Sequence, residues 1–278
     1  MRDIRLEWAH WPAKGQTAGA PPLLFVHGAF SGLWCWEANF LPWFAERGFD
    51  VWAVSLEGHA GSSGHERLAR IGISDYVDNL QQAIDRIGQP PIIVGHSMGG
   101  YVTQALLSRG VELPGVIMLA AVPPYGLTPS VLRLLGLAPG KLMKVLLFQQ
   151  GVYQPSSFEL RHLLFSPAAP ESATALMASR EQRESYRAMV DMMLWPVLPP
   201  LRALPPALVL GSTLDQIVMA PDVYATAMRF GVAPVFFPGM GHMMMLDQGW
   251  QDVAETMANW LQTQWPAAAP APAGTVEA

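Results

Sequence analysis

A chain of 278 residues, 51% hydrophobic and only 14% charged, is long enough to bury one large core, or a core carrying a substantial insertion. A net charge of −5 and the lack of a dense basic stripe argue against a nucleic-acid partner. The nearest candidate, Arg180 to Arg187, is interleaved with Glu181 and Glu184 and reads as a solvated helix face. The single cysteine, Cys35, excludes an intrachain disulfide and a Cys-based zinc cluster; between Trp34 and Trp36 it reads as a packed small hydrophobe.

The chain opens on an alternating segment, Ile4 to Trp11, that predicts an antiparallel edge strand. Met1 to His10 is charged and has no apolar stretch fit for a signal peptide. No apolar run reaches the ~20 residues a bilayer span needs. The expectation is a cytoplasmic protein without stable membrane insertion. Short apolar runs then recur at Leu23 to Val26, Val51 to Val54, Ile92 to Val94, Val116 to Ala120, Ala207 to Leu210 and Val235 to Phe237. They lack clean alternation, as strands covered on both faces by helices do. Met98 to Arg109 reads as a helix, and Leu246 to Trp260 as an amphipathic closing helix. A mostly parallel sheet of the α/β class follows.

The regularity breaks between the proline pairs Pro123–Pro124 and Pro199–Pro200. Leu132 to Phe148, Phe158 to Phe165 and Ser172 to Met193 predict three or four helices and no strand. The domain reading is therefore a core of residues 1–122 and 201–265, a helical cap over 123–200, and an Ala/Pro-rich unstructured tail at 266–278.

Gly95-His96-Ser97-Met98-Gly99 is a G-x-S-x-G pentapeptide, entered by the strand Ile92 to Val94 and left by a helix. That setting gives it meaning: a serine at a sharp strand-to-helix turn needs small neighbours so that the backbone can pass closely. Ser97 is the candidate nucleophile. A serine hydroxyl needs an imidazole to take its proton, and His242, in the glycine-flanked loop after Val235 to Phe237, is the best placed of seven histidines. His10, His59, His65 and His162 fall in the edge strand, a surface loop or the insertion; His27 and His96 read as structural. Asp215, in the loop after Ala207 to Leu210, is the acid that would orient His242. Asp222 and Asp247 better suit the first turns of helices. The backbone N–H of Met98 and that of Ala29, in His27-Gly28-Ala29-Phe30, are the expected oxyanion donors, with Phe30 the alternative to Ala29.

With these residues in place, the chain resembles the α/β-hydrolase superfamily, specifically its esterase and lipase-like members with a helical cap. The likeness runs from about Leu23 to Trp260 and rests on His27 to Phe30, Glu57-Gly58-His59-Ala60-Gly61-Ser62, Gly95 to Gly100, the Asp215 loop and Gly241-His242. Where the family has an R/D-G-H-G-x-S pattern, this chain departs from it at Glu57 and Ala60. Gly32-Leu33-Trp34-Cys35-Trp36 is similar to plant methylesterases and hydroxynitrile lyases. Serine at position 97 counts against the dehalogenases and epoxide hydrolases, which carry a carboxylate there.

The resemblance implies a cofactor-free, metal-free hydrolase that cleaves small to medium apolar esters through an acyl-enzyme. Phe30, Met192, Trp195 and Met243 are the candidate substrate contacts. Alternatives that keep the same triad are a thioesterase, lactonase, amidase, carbon–carbon hydrolase or perhydrolase; a non-catalytic ligand receptor is the alternative of another class. Oligomeric state is not legible.

Overall fold

Six parallel strands and one antiparallel edge strand form a single sheet in the computed structural model, which describes residues 4–15, 19–180, 182–194 and 198–266. The strands are β1 (Glu7–Trp11), β2 (Leu23–Val26), β3 (Val51–Ser55), β4 (Ile92–His96), β5 (Val116–Leu119), β6 (Ala207–Ser212) and β7 (Val235–Phe237). Their spatial order is β1-β3-β2-β4-β5-β6-β7, and β1 runs antiparallel to β3 as the alternating pattern predicts. The parallel register sets Val26 against Gly95 and Gly95 against Met118, so the strand leading to Ser97 sits mid-sheet.

Both sheet faces are buried, which is why the strand sequences do not alternate. On one face Leu23, Phe25, Ile92, Val94, Ile117 and Leu119 pack against α1 (Trp34–Glu37), α2 (Phe40–Glu46) and α11 (Trp250–Gln264). Leu24, Val26, Ile93, Val116 and Met118 pack on the other face against α3 (Ile73–Ile87), α4 (Met98–Ser108) and α10 (Ala220–Phe230). The Trp-Cys-Trp run is core: Trp36 lies 5.1 Å from the ring of Phe25 and 5.6 Å from that of Phe40, and Cys35 is buried beside it. No helix among the described residues is long and apolar enough to cross a membrane.

Among the described residues, five helices, not three or four, lie between β5 and β6: α5 (Thr128–Leu137), α6 (Pro139–Gln149), α7 (Ser157–Leu164), α8 (Glu171–Arg180) and α9 (Tyr186–Leu194). The predicted helix Leu132 to Phe148 is split because Pro139 has no N–H to continue the ladder and disfavours helical backbone at Ala138, which stands at φ −149°, ψ +61°. The predicted helix Ser172 to Met193 is split as well. Residues 182–185 leave the helix there, and Glu184 and Ser185 are buried instead of forming a solvated face.

The closing helix begins at Trp250, four residues later than expected. Asp247 is the reason: its buried carboxylate accepts from the N–H groups of Ser166, Gly241 and Gln248 and from the Ser166 hydroxyl. It ties the insertion to the His242 loop rather than opening a helix. Asp222 does stand in the first turn of α10, where it accepts from the Met219 N–H at 3.0 Å. Of the predicted tail, residues 267–278 lie outside the described residues.

Candidate active site

Ser97 occupies the bend between β4 and α4 at φ +50°, ψ −117°, a conformation that a residue with a Cβ rarely adopts. The neighbours make the bend feasible by being small. A Cβ on Gly99 would lie 2.5 Å from the carbonyl oxygens of both Val26 and His27, and one on Gly28 would lie 2.9 Å from Cβ of Ser97. The bend is pinned to the sheet, with the Ser97 N–H donating to Leu119 at 3.2 Å and its carbonyl accepting from Val122 at 3.1 Å.

Asp215 and His242 meet across the ends of β6 and β7. The His242 Nδ1–H faces Asp215 Oδ2 at 2.7 Å, with both side chains almost fully buried. The other carboxylate oxygen, Oδ1, accepts from the N–H groups of Ile217 (2.7 Å) and Val218 (2.9 Å), so the carboxylate is fixed before it meets the ring. His96, the residue before Ser97, packs its ring 4.7 Å from that of His242 and donates from Nε2 to the His242 carbonyl at 3.0 Å. The three candidate residues thus come from the ends of three different strands, with His96 bridging the elbow and the histidine loop.

The expected N–H donors lie on two elements, the start of α4 and the loop after β2. Met98 is the first residue of α4, so its N–H is one of the unsatisfied donors of a helix N-terminus and carries that end's partial positive charge. In the loop after β2, the Phe30 N–H is engaged with Glu184 Oε2 at 3.3 Å. Of the two N–H groups expected in that loop, the one on Phe30 is thus taken up by the insertion.

A sequence profile described as the Alpha/beta hydrolase family matches residues 23–256. The chain belongs to this family. Solved structures carry the same fold at low identity. An esterase from Exiguobacterium antarcticum is 15% identical with a TM-score of 0.73, covering 93% of this chain and 96% of its own. A thermophilic esterase from Thermogutta terrifontis is 19% identical (TM-score 0.70, 94% of each chain). A monoacylglycerol lipase from Paleococcus ferrophilus is 18% identical (TM-score 0.67, 93% of this chain and 99% of its own). No curated protein matches the sequence.

The residues expected to contact substrate lie on different elements. Met243 is buried among the residues packed on the α1, α2 and α11 face, and its N–H donates to Leu164 of α7 at 2.9 Å. Met192 is buried in the cluster on the opposite, α3 and α4, face. Phe30 meets the insertion through the ring of Phe148, 5.7 Å away. Trp195 lies outside the described residues. A cavity of about 220 Å³ between α3, α4 and the 198–199 segment is lined by Ile73, Val77, Tyr101 and Asp191 among others, and by none of the candidate catalytic residues.

His59 corrects the sequence reading. It is not on a surface loop but fully buried, with Nε2 2.9 Å from Glu184 Oε2 and Nδ1 3.1 Å from the Glu57 carbonyl. Both partners are acceptors, so the ring carries two protons. Burial pulls its pKa down, but Glu184 prevails and holds it above the usual imidazole range. His27 is the opposite case. Its Nδ1–H donates to the Gly28 carbonyl at 2.7 Å and its Nε2 accepts from the Leu56 N–H at 3.0 Å. Burial, reinforced by the charge on His59, pushes its pKa down to about 3. Burial, then the nearby His242, holds His96 well below the usual range as well.

These histidines give stability a predictable pH profile. In the unfolded chain each titrates near the ordinary value of about 6.5. Below that pH the unfolded chain takes up protons that native His27 and His96 refuse. Stability should therefore fall with acidification by about 1.4 kcal/mol per pH unit for each ring, until its folded pKa is reached. Above it, His59 stays protonated only in the native state, and its contribution is lost as pH rises through its raised pKa. Urea unfolding between about pH 4 and pH 8 measures this, and His27→Asn should roughly halve the acid slope. An acid slope identical in that variant would refute the assignment.

Proposed function

We propose that this chain hydrolyses carboxylic esters of small to medium apolar acids through an acyl-enzyme on Ser97. The observation that carries the reading is the buried 2.7 Å contact between Asp215 and His242 Nδ1. With the Nδ1 proton held there, the lone pair of the imidazole lies on Nε2, the tautomer that a general base for serine requires. Ser97 Oγ attacks the ester carbonyl while His242 Nε2 takes its proton, and the carbonyl oxygen becomes an oxyanion held by the N–H groups of Ala29 and Met98. His242 then returns the proton to the leaving alcohol. A water molecule, deprotonated by the same nitrogen, attacks the acyl-enzyme, and the collapse of the second tetrahedral intermediate releases the acid and restores Ser97.

Burial favours this chemistry. The imidazolium that forms in the transition state faces a carboxylate in a site from which water is largely excluded, where their attraction is stronger than in bulk solvent. The esterase and lipase names of the structural neighbours agree with an ester substrate.

Labelling of the purified protein with a fluorophosphonate probe, with the modified residue located by mass spectrometry, tests the nucleophile. Label on Ser97, displaced by a competing ester, is the expected result. No label, with no ester, thioester or lactone turned over in a panel, would leave a ligand receptor on a hydrolase fold. Rates across p-nitrophenyl esters of increasing acyl length should peak at one length; a flat profile would remove the idea of a defined acyl pocket.

A further inference from the structure

Among the described residues, three with a Cβ besides Ser97 hold left-handed backbone: Ala120 at φ +43° after β5, Phe30 at φ +62° after β2 and Ala60 at φ +45° after β3. The last two share a feature. Each is a costly conformation that persists only where the surroundings enforce it. In both cases the enforcing groups come from one short stretch of the insertion, residues 182–184. The Ala60 N–H donates to Gln182 Oε1 at 2.7 Å, and the Gln182 amide donates to the Gly58 carbonyl at 2.9 Å. The Phe30 N–H donates to Glu184 Oε2 at 3.3 Å, and the Phe30 carbonyl accepts from the Gln182 N–H at 3.4 Å.

Glu184 is built in as few surface residues are. Its carboxylate is fully buried and accepts four donors: the Tyr76 hydroxyl and the Ser185 N–H on Oε1, both at 2.7 Å, with His59 Nε2–H and the Phe30 N–H on Oε2. A carboxylate beside the place where an oxyanion develops would, if uncompensated, oppose the reaction. His59, protonated on both nitrogens, supplies the compensation at 2.9 Å.

We infer that Glu184, with His59 as its counter-ion, is a positioning residue for ester hydrolysis: it holds the Phe30 N–H and so fixes the loop on which the Ala29 N–H is presented to the oxyanion. The inference rests on the reading of Ser97 as nucleophile and of residues 28–30 as the oxyanion loop. It gives the insertion a role in the chemical step.

The test is Glu184→Gln in the full-length protein, with a p-nitrophenyl ester as substrate. An amide cannot accept from all four donors, and His59 loses its counter-charge. The expected result is a fall in kcat of about 10- to 100-fold, less than the loss of a whole oxyanion donor, with KM within about twofold of wild type. Affinity for an alkyl boronic acid, which mimics the tetrahedral intermediate, should fall in parallel. Tyr125→Phe is the control for general loosening. It removes the 2.7 Å hydrogen bond to Asp222 at the junction of the insertion and α10, and should leave kcat and boronate affinity unchanged.

If E184Q does not fold, His59→Gln carries the question: a donor is retained but the positive charge is removed, and kcat should again fall at constant KM. Wild-type kcat and boronate affinity in a folded E184Q, or in H59Q where E184Q does not fold, would overturn this inference alone, provided that wild type is labelled at Ser97. If wild type is not labelled there, the catalytic reading falls and this inference with it.

Discussion

Replacing Ser97 with alanine is expected to lower turnover of a p-nitrophenyl ester by about 10⁶-fold. The fold gives little reason for collateral damage. Serine and alanine both carry a Cβ, so the φ +50° backbone costs them the same, and the packing of that Cβ near Gly28 is retained. Only the hydroxyl is lost. The thermal midpoint should therefore stay within about 3 °C of wild type. The proposed oxyanion donors are untouched, so the residual rate should exceed that of water by about 10³- to 10⁴-fold. Turnover within tenfold of wild type, in S97A protein of unchanged midpoint, would remove Ser97 as nucleophile and with it the acyl-enzyme.

What could be read before the structure was what local sequence dictates. The strands are legible because each is a short apolar run bounded by turn residues, and all six expected in the core are present. Ser97, Asp215 and His242 stood out for a related reason: each follows such a run, in a loop with glycine at or near the bend. The insertion was harder. Its helices carry exposed leucines, Leu132, Leu135 and Leu137 among them, and α5 buries no residue, so the apolar pattern does not tell a packed face from an exposed one. Pro139 was the local signal for the break between α5 and α6. Residues 182–185 offered none. Glu184 reads as a surface acid in any window of its neighbours, and it becomes a buried ion only through His59, 125 positions away. His59 had one hint, the glycines on either side of Gly58-His59-Ala60-Gly61, but nothing in the chain names its partner. Local chemistry marks where a reacting group sits; the long-range pairs that hold it appear only with the fold.

Asp215→Asn should abolish most activity without disturbing the architecture, because of the way the carboxylate is held. Its Oδ1 accepts from two N–H donors, those of Ile217 and Val218, while Oδ2 faces His242. In asparagine the amide oxygen is needed on the side of the two donors, which turns the NH₂ group toward His242 Nδ1. A ring nitrogen facing a donor has to be the acceptor, so the imidazole proton moves to Nε2. That nitrogen then carries a hydrogen where the reaction needs a lone pair. Turnover is expected to drop about 10⁴-fold with KM little changed, since in the proposed mechanism the substrate meets neither the amide nor Nδ1. Nitrogen NMR of His242 reads the cause directly: the protonated nitrogen should switch from Nδ1 in wild type to Nε2 in the variant. A D215N enzyme that keeps more than about a tenth of wild-type kcat would reduce Asp215 to a brace for the 215–218 turn. Its buried contact with His242 would then be packing rather than chemistry.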